Sequence, residues 1–180
     1  MKVIGFCGLP GSGKSTAIEA IAELGKIITM GDVIRDEAKN RNIEPSGKNL
    51  GKIAKELRKK GGSAIIAKKC IELIKNLDDE IIIVDGIRSF YEVNEFRREW
   101  KFPLIAIELN DQERIKRLYD RARSDDSKTI NEIKQRDQRE IGFGLKEVVN
   151  KANYKIQNDS TVEELKKKTR NIVLEILQTY

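Results

Sequence analysis

Hydrophobic residues in this chain alternate between short dense runs and longer stretches in which they recur every three or four positions. The dense runs are Val3–Cys7, Ile27–Thr29, Ile81–Val84, Leu104–Leu109 and Tyr154–Gln157. Ile81-Ile-Ile-Val84 and Leu104-Ile-Ala-Ile107 are continuously apolar, as strands read when helices cover both faces of their sheet. Helical spacing follows in Thr16–Leu24, in Leu50, Ile53, Ala54 and Leu57, in Ile66, Cys70, Ile71 and Ile74, and in Ile115, Leu118 and Tyr119. A final helix is expected to open at a capping box, Ser160-Thr-Val-Glu163, and to turn Val162, Leu165, Ile172, Val173 and Ile176 inward. This alternation predicts an α/β fold with a five-stranded parallel sheet, helices on both faces and right-handed crossovers. Ligands then bind at the carboxyl ends of the strands.

The segment joining the first run to the first helix carries the chemistry. Residues 8–15 read Gly-Leu-Pro-Gly-Ser-Gly-Lys-Ser, filling the pattern G-x-x-x-x-G-K-[ST] between an apolar strand and a helix. In such a phosphate loop, Gly8, Gly11 and Gly13 let the backbone wrap so that its N–H groups, including those of Leu9, Pro10's neighbours and Ser12, face phosphate oxygens. Proline 10 itself has no N–H to give. Lys14 would reach the β- and γ-phosphates of ATP, the Ser15 hydroxyl would ligate Mg²⁺, and Thr16 completes the loop. The fold expected is therefore the three-layer phosphate-loop NTPase.

With 180 residues and no internal repeat, low-complexity tract or linker, the chain reads as one domain, 1–180, with two inserted subregions. Hydrophobic residues make up 39% and charged residues 36%, the balance of a soluble globular protein, and no apolar run approaches a membrane span. No signal peptide precedes the first run, and the cytoplasm is the natural compartment. Cys7 and Cys70 each sit in an apolar stretch and read as buried reduced thiols. The sequence has no histidine, which excludes histidine metal sites and histidine acid–base catalysis. Net charge is +6 and the pI about 9.2, yet the cations are interleaved with Asp and Glu, as on solvated helix faces. Only 6% of residues are aromatic and none cluster, so nucleic acid is the less favoured partner. Abundant Lys, Glu and Ile suit a heat-adapted source. A monomer is the default.

The inserted subregions are about 32–62 and about 121–139. The first carries Arg35, Lys39, Arg41, Lys48 and Arg58. The second carries Arg121, Arg123, Lys128, Lys134, Arg136 and Arg139 around a polar break at Ser124-Asp-Asp-Ser127. Read alone they are charged helical hairpins; beside a phosphate loop they read as flaps that close on a polyanionic pair.

Thr29-Met-Gly-Asp-Val-Ile-Arg35 follows the second apolar run and opens a helix. Here the chain resembles the nucleoside monophosphate kinases, adenylate kinase in particular, and an archaeal-type group of such proteins most closely. In that family a Gly-Asp-x-x-Arg element ends the second strand, and its arginine grips the acceptor's phosphate. Gly8–Thr16 looks like the family's phosphate loop, with Ser15 where adenylate kinases often carry glycine. Val84-Asp-Gly-Ile-Arg88 looks like its third-strand Asp-Gly-Phe-Pro-Arg element without the proline. Arg121-Ala-Arg123 and Arg136 fall where the family has lid arginines, and Ala152–Asn158 is similar to the last strand and adenine-side loop, also of dephospho-coenzyme A kinase. The resemblance runs end to end, but only the phosphate loop and Gly-Asp-x-x-Arg are specific matches.

It implies ATP- and Mg²⁺-dependent phosphoryl transfer to an AMP-like small molecule. Lys14 and the lid arginines Arg121 and Arg123 would cancel charge on the donor side; Arg35, Arg88 and Arg136 would hold the acceptor through guanidinium forks. Asp85 is placed to hold Mg²⁺ through water, or is a helix-capping or turn aspartate before Gly86. Asp32 either caps the following helix and orients Arg35, or serves as the general base that a hydroxyl acceptor such as dephospho-coenzyme A requires. A nucleotide-switched ATPase attending RNA is the contrasting function, marked by salt-sensitive RNA affinity and hydrolysis without an acceptor.

Overall fold

The computed structural model describes residues 1–121 and 129–179. Five strands form a single parallel sheet: β1 (Lys2–Cys7), β2 (Lys26–Thr29), β3 (Ile81–Ile87), β4 (Leu104–Glu108) and β5 (Tyr154–Gln157), in the spatial order β2-β3-β1-β4-β5. All five expected strands are present. β3 is longer than its apolar run because pairing with β1 continues through Phe6↔Asp85 and, after a register shift, Cys7↔Ile87.

Successive side chains of the central strands point to opposite faces and enter two separate cores. Val3, Cys7, Ile82, Val84, Leu104 and Ala106 join one; Ile4, Phe6, Ile83, Ile105 and Ile107 join the other. Both sets are apolar, which is why these strands show no alternation in the sequence. The first face is covered by α2 (Met30–Asn40), α3 (Gly47–Gly61), α4 (Ile65–Lys75), α5 (Phe90–Glu99) and α8 (Leu145–Asn150). The second lies under α1 (Lys14–Glu19) and α9 (Val162–Thr179). Two further helices, α6 (Asp111–Arg121) and α7 (Ile130–Gly142), sit beside the phosphate loop.

Some local readings shift. The helix expected over Thr16–Leu24 ends at Glu19, and the chain tightens into turns in which Ile21, Ala22 and Leu24 donate N–H three residues back. The last helix begins one residue later than the capping box proposed for it: Thr161, not Ser160, accepts the cap bond, from the Glu164 N–H at 3.2 Å. Val162 consequently turns outward beside the cleft that the phosphate loop lines, while Leu165, Val173 and Ile176 are buried as expected. Tyr119 is also exposed; the buried positions of α6 are Leu118 and, against its charge, Arg114. No helix among the described residues is long and apolar enough to cross a membrane.

Candidate functional site

At the carboxyl ends of β1, β3 and β2 lies a cleft of about 470 Å³. One wall is the phosphate loop, contributing Gly8, Pro10, Gly11, Gly13, Lys14, Ser15 and Thr16. The loop is held from beneath. Gly13 caps α1 at φ 104°, and a Cβ there would lie 2.3 Å from the Asn158 amide nitrogen. That amide, buried at the end of β5, donates to the Ser12 carbonyl at 2.8 Å. Asn158 therefore braces the loop's underside, an assignment that proximity to an adenine-side loop did not foretell. Leu9 packs against the core, and Ser12 is buried with its Oγ unpartnered. Lys14 donates to the Gly8 carbonyl at 2.8 Å. Burial lowers its pKa, against the pull of Asp85 and Glu140.

Asp85 stands inside β3, not in a turn, so the turn reading is set aside. It lines the cleft with Lys14 and Ser15, and its Oδ1 is buried without a hydrogen-bond partner. A buried carboxylate oxygen left unpaired is costly. That oxygen and the Ser15 hydroxyl, both on the lining of this cleft, are hard oxygen donors of the kind Mg²⁺ takes. The residues present fit that ion. Among the described residues no group of three or more acidic or cysteine side chains could hold a metal ion by itself.

The opposite wall carries Arg35, Arg88 and Arg136, brought together from α2, the loop after β3 and α7. The sequence placed the first two in one site, and the structure puts them in one cleft. Arg35, at the second turn of α2, is ion-paired with Asp32. Asp32 is 60% exposed at its side chain and lies outside the lining of the cleft. Arg88 donates to the Gly86 carbonyl at 3.2 Å. Its Nε lies 3.4 Å from Glu140, a residue the sequence reading passed over. Arg136 approaches the other Glu140 oxygen at 3.5 Å. Burial would raise the Glu140 pKa, but Arg88, Arg136 and Lys14 outweigh it and hold the carboxyl below its ordinary value. Glu140 in turn raises Arg88. Arg121 ends α6, while Arg123 lies outside the described residues, as do Lys128 and the Ser124–Ser127 break; the lid assignment of these arginines stays an expectation.

Two buried ion pairs outside the sequence reading tie this cleft to the fold. The Arg114 guanidinium binds Asp137 through two bonds of 3.0 and 2.6 Å and donates to the Pro10 carbonyl at 3.0 Å. It thereby joins α6, α7 and the phosphate loop. Arg58 of α3 donates to Glu92 at 2.7 Å, and the other Glu92 oxygen accepts the Arg88 and Ser89 N–H groups at 2.7 and 3.2 Å. Ser89 and Glu92 form a capping box at α5, so the loop bearing Arg88 is fixed by the same carboxylate that anchors α3.

The comparisons with known proteins agree with this architecture. A family model described as an AAA domain matches residues 4–141. The chain is 46% identical over 181 residues to the UPF0200/UPF0201 protein of Archaeoglobus fulgidus, covering 98% of this chain and 56% of that protein. It is 40% identical to the UPF0200 protein of Methanosarcina mazei, covering 99% and 97% respectively. Among solved structures, the shikimate kinase of Aquifex aeolicus superposes with a TM-score of 0.56 at 17% identity, covering 98% of each chain. That likeness shows the fold, a phosphate-loop kinase fold, and the relatives show the kinship: the chain belongs to the UPF0200 family and carries an AAA domain over residues 4–141.

Proposed function

We propose that this protein transfers a phosphoryl group from ATP to a small, phosphate-bearing acceptor of the AMP type. One observation carries the reading. A single cleft has Lys14, Ser15 and the orphaned Asp85 on one side and Arg35, Arg88 and Arg136 on the other. Phosphoryl transfer asks little covalent help of a protein; it asks for in-line positioning and for cancellation of charge on the equatorial oxygens. Lys14, whose charged form Asp85 and Glu140 favour against the cost of burial, would face the donor phosphates. Mg²⁺, held by Ser15 and Asp85, would supply further neutralisation between donor phosphates. Arg35 and Arg88 present planar donors to the acceptor's anion, and an arginine so placed contributes ~10³–10⁵ in rate in related chemistry. The acceptor's phosphate oxygen is already anionic, so no general base is needed, which accords with Asp32 facing Arg35. Closure of the segments 32–62 and 121–139 would exclude water, so that phosphate reaches the acceptor in preference to hydrolysis.

The test is equilibrium dialysis of AMP and ATP against wild type and Arg35→Ala. The expected result is that AMP binding is lost in the variant while ATP binding stays. Wild type that binds ATP but no monophosphate, hydrolyses it without an acceptor and binds structured RNA in a salt-sensitive way would replace the kinase reading with a nucleotide-switched ATPase.

A further inference from the structure

Behind the arginine wall lies a second, smaller cavity of about 70 Å³. Gly31, Arg35, Arg88, Arg136 and Glu140 line both spaces, so the two share a wall. Among the residues found only on the far side are Arg58, Arg139, Gly51, Leu50 and Phe143. Resting on the phosphoryl-transfer reading above, we propose that this inner cavity is a second anion subsite, centred on Arg139, and that the acceptor is a molecule with two anionic groups. One is gripped by Arg35, Arg88 and Arg136, and the other, a carboxylate or phosphate, enters the inner cavity.

Four features carry the assignment. First, the Arg139 guanidinium makes no hydrogen bond or ion pair with any described residue, although it is half-buried. Burial and the positive charges of Arg136 and Arg88 lower its pKa in spite of Glu140. A half-buried cation without a partner is a cost that a bound anion removes. Second, its seat is built for it. Gly51 is in the interior of α3, where glycine costs about 1 kcal/mol against alanine. A Cβ at that position would lie 2.6 Å from the Arg139 Cζ and 2.7 Å from its Nη1, so only glycine admits the guanidinium against the helix. Third, Arg58 beside it is only 8% exposed at its side chain. It lies 4.2 Å over the Phe143 ring, pairs with Glu92, and still has its Nε buried without a partner. Fourth, the lining is strongly cationic: Arg35, Arg58, Arg88, Arg136 and Arg139 line the cavity, and Glu140 is the one acidic residue among the described residues that line it.

Size sets the class of group. At the ~10–15 Å³ that one water needs, the cavity has room for roughly five, enough for one compact oxyanion and its nearest atoms. The apolar patch of Ile34, Leu50 and Ala54 suits the short carbon link between the two anions.

The experiment measures calorimetric affinity for two matched pairs of probes at low salt. Glycerol phosphate is set against phosphoglycerate, and AMP against adenosine 3′,5′-bisphosphate; within each pair the members differ by one anionic group. In at least one pair the second anion is expected to tighten binding about ten- to hundredfold, the worth of a charge-assisted contact. Arg139→Ala, and independently Gly51→Ala with its helix content intact, should bring that ratio close to one, and Arg139→Lys should restore part of it. Arg35→Ala should weaken both members of the pair. If neither pair discriminates in wild type, or if the ratio survives Arg139→Ala and Gly51→Ala, the second subsite is overturned while the kinase reading stands. If no probe binds although ATP does, the acceptor reading fails and this inference fails with it.

Discussion

Glu140→Gln is the most informative single perturbation. Its carboxylate is nearly buried and stands 3.4 Å from the Arg88 Nε and 3.5 Å from the Arg136 Nε. Glutamine keeps the volume, so no cavity term enters, and the change removes only the charge. Breaking a buried pair costs about 3–5 kcal/mol. Here the separations exceed the 2.7–2.9 Å of a tight charge-assisted bond, and the two guanidiniums keep some contact with water. The expected loss is therefore nearer about 2–3 kcal/mol, or about 5–10 °C in Tm for a chain of this size. Urea and thermal unfolding would measure it. Because Glu140 is held below its ordinary pKa of 4.5, its contribution is fully present above that value and fades as pH falls through the lower, folded-state value. The gap between wild type and Glu140→Gln should be flat from about pH 8 to about pH 5 and narrow below. Sulfate should also stabilise the variant more than wild type, since an anion then replaces the missing charge. A loss under about 1 kcal/mol with no sulfate effect would refute the claim that Glu140 balances the arginine wall.

Arg114→Ala should destabilise by about 3–5 kcal/mol, because Asp137 is left buried and unpaired, and should weaken ATP binding through the released Pro10 carbonyl. Urea unfolding and nucleotide titration would show it, and Arg114→Lys should not rescue it, since one ammonium does not reproduce a fork serving Asp137 and Pro10 together. Burial pushes both the Cys7 and Cys70 thiols up to about 12, so neither should react with a thiolate-selective reagent at pH 8 until denaturant is added; prompt native-state labelling of either would contradict their burial.

The strands were legible because both faces of the sheet are covered, leaving uninterrupted apolar runs such as Ile81–Val84. The phosphate loop was legible because its chemistry fixes residue types at adjacent positions. What escaped was pairing across distance. Arg114 sits in Asp111-Gln-Glu-Arg-Ile-Lys-Arg117, which reads as a solvated helix face, and only the approach of α7 turns it inward toward Asp137. Glu92 and Glu140 look like surface carboxylates for the same reason, yet each is buried by arginines from other elements. Gly51 carried a faint signal, a glycine amid good helix formers, whose meaning depends on a guanidinium from 88 residues further along. Val162 and Tyr119 were misread because periodicity identifies an apolar stripe but does not say where that stripe ends at an open cleft.

The brace that Asn158 places under Ser12 spans 146 residues. A nascent chain leaving the ribosome therefore exposes its glycine-rich turn long before the amide that steadies it has been synthesised. The ability to hold a nucleotide should arrive late and abruptly, when β5 docks beside β4, and not grow with each added helix.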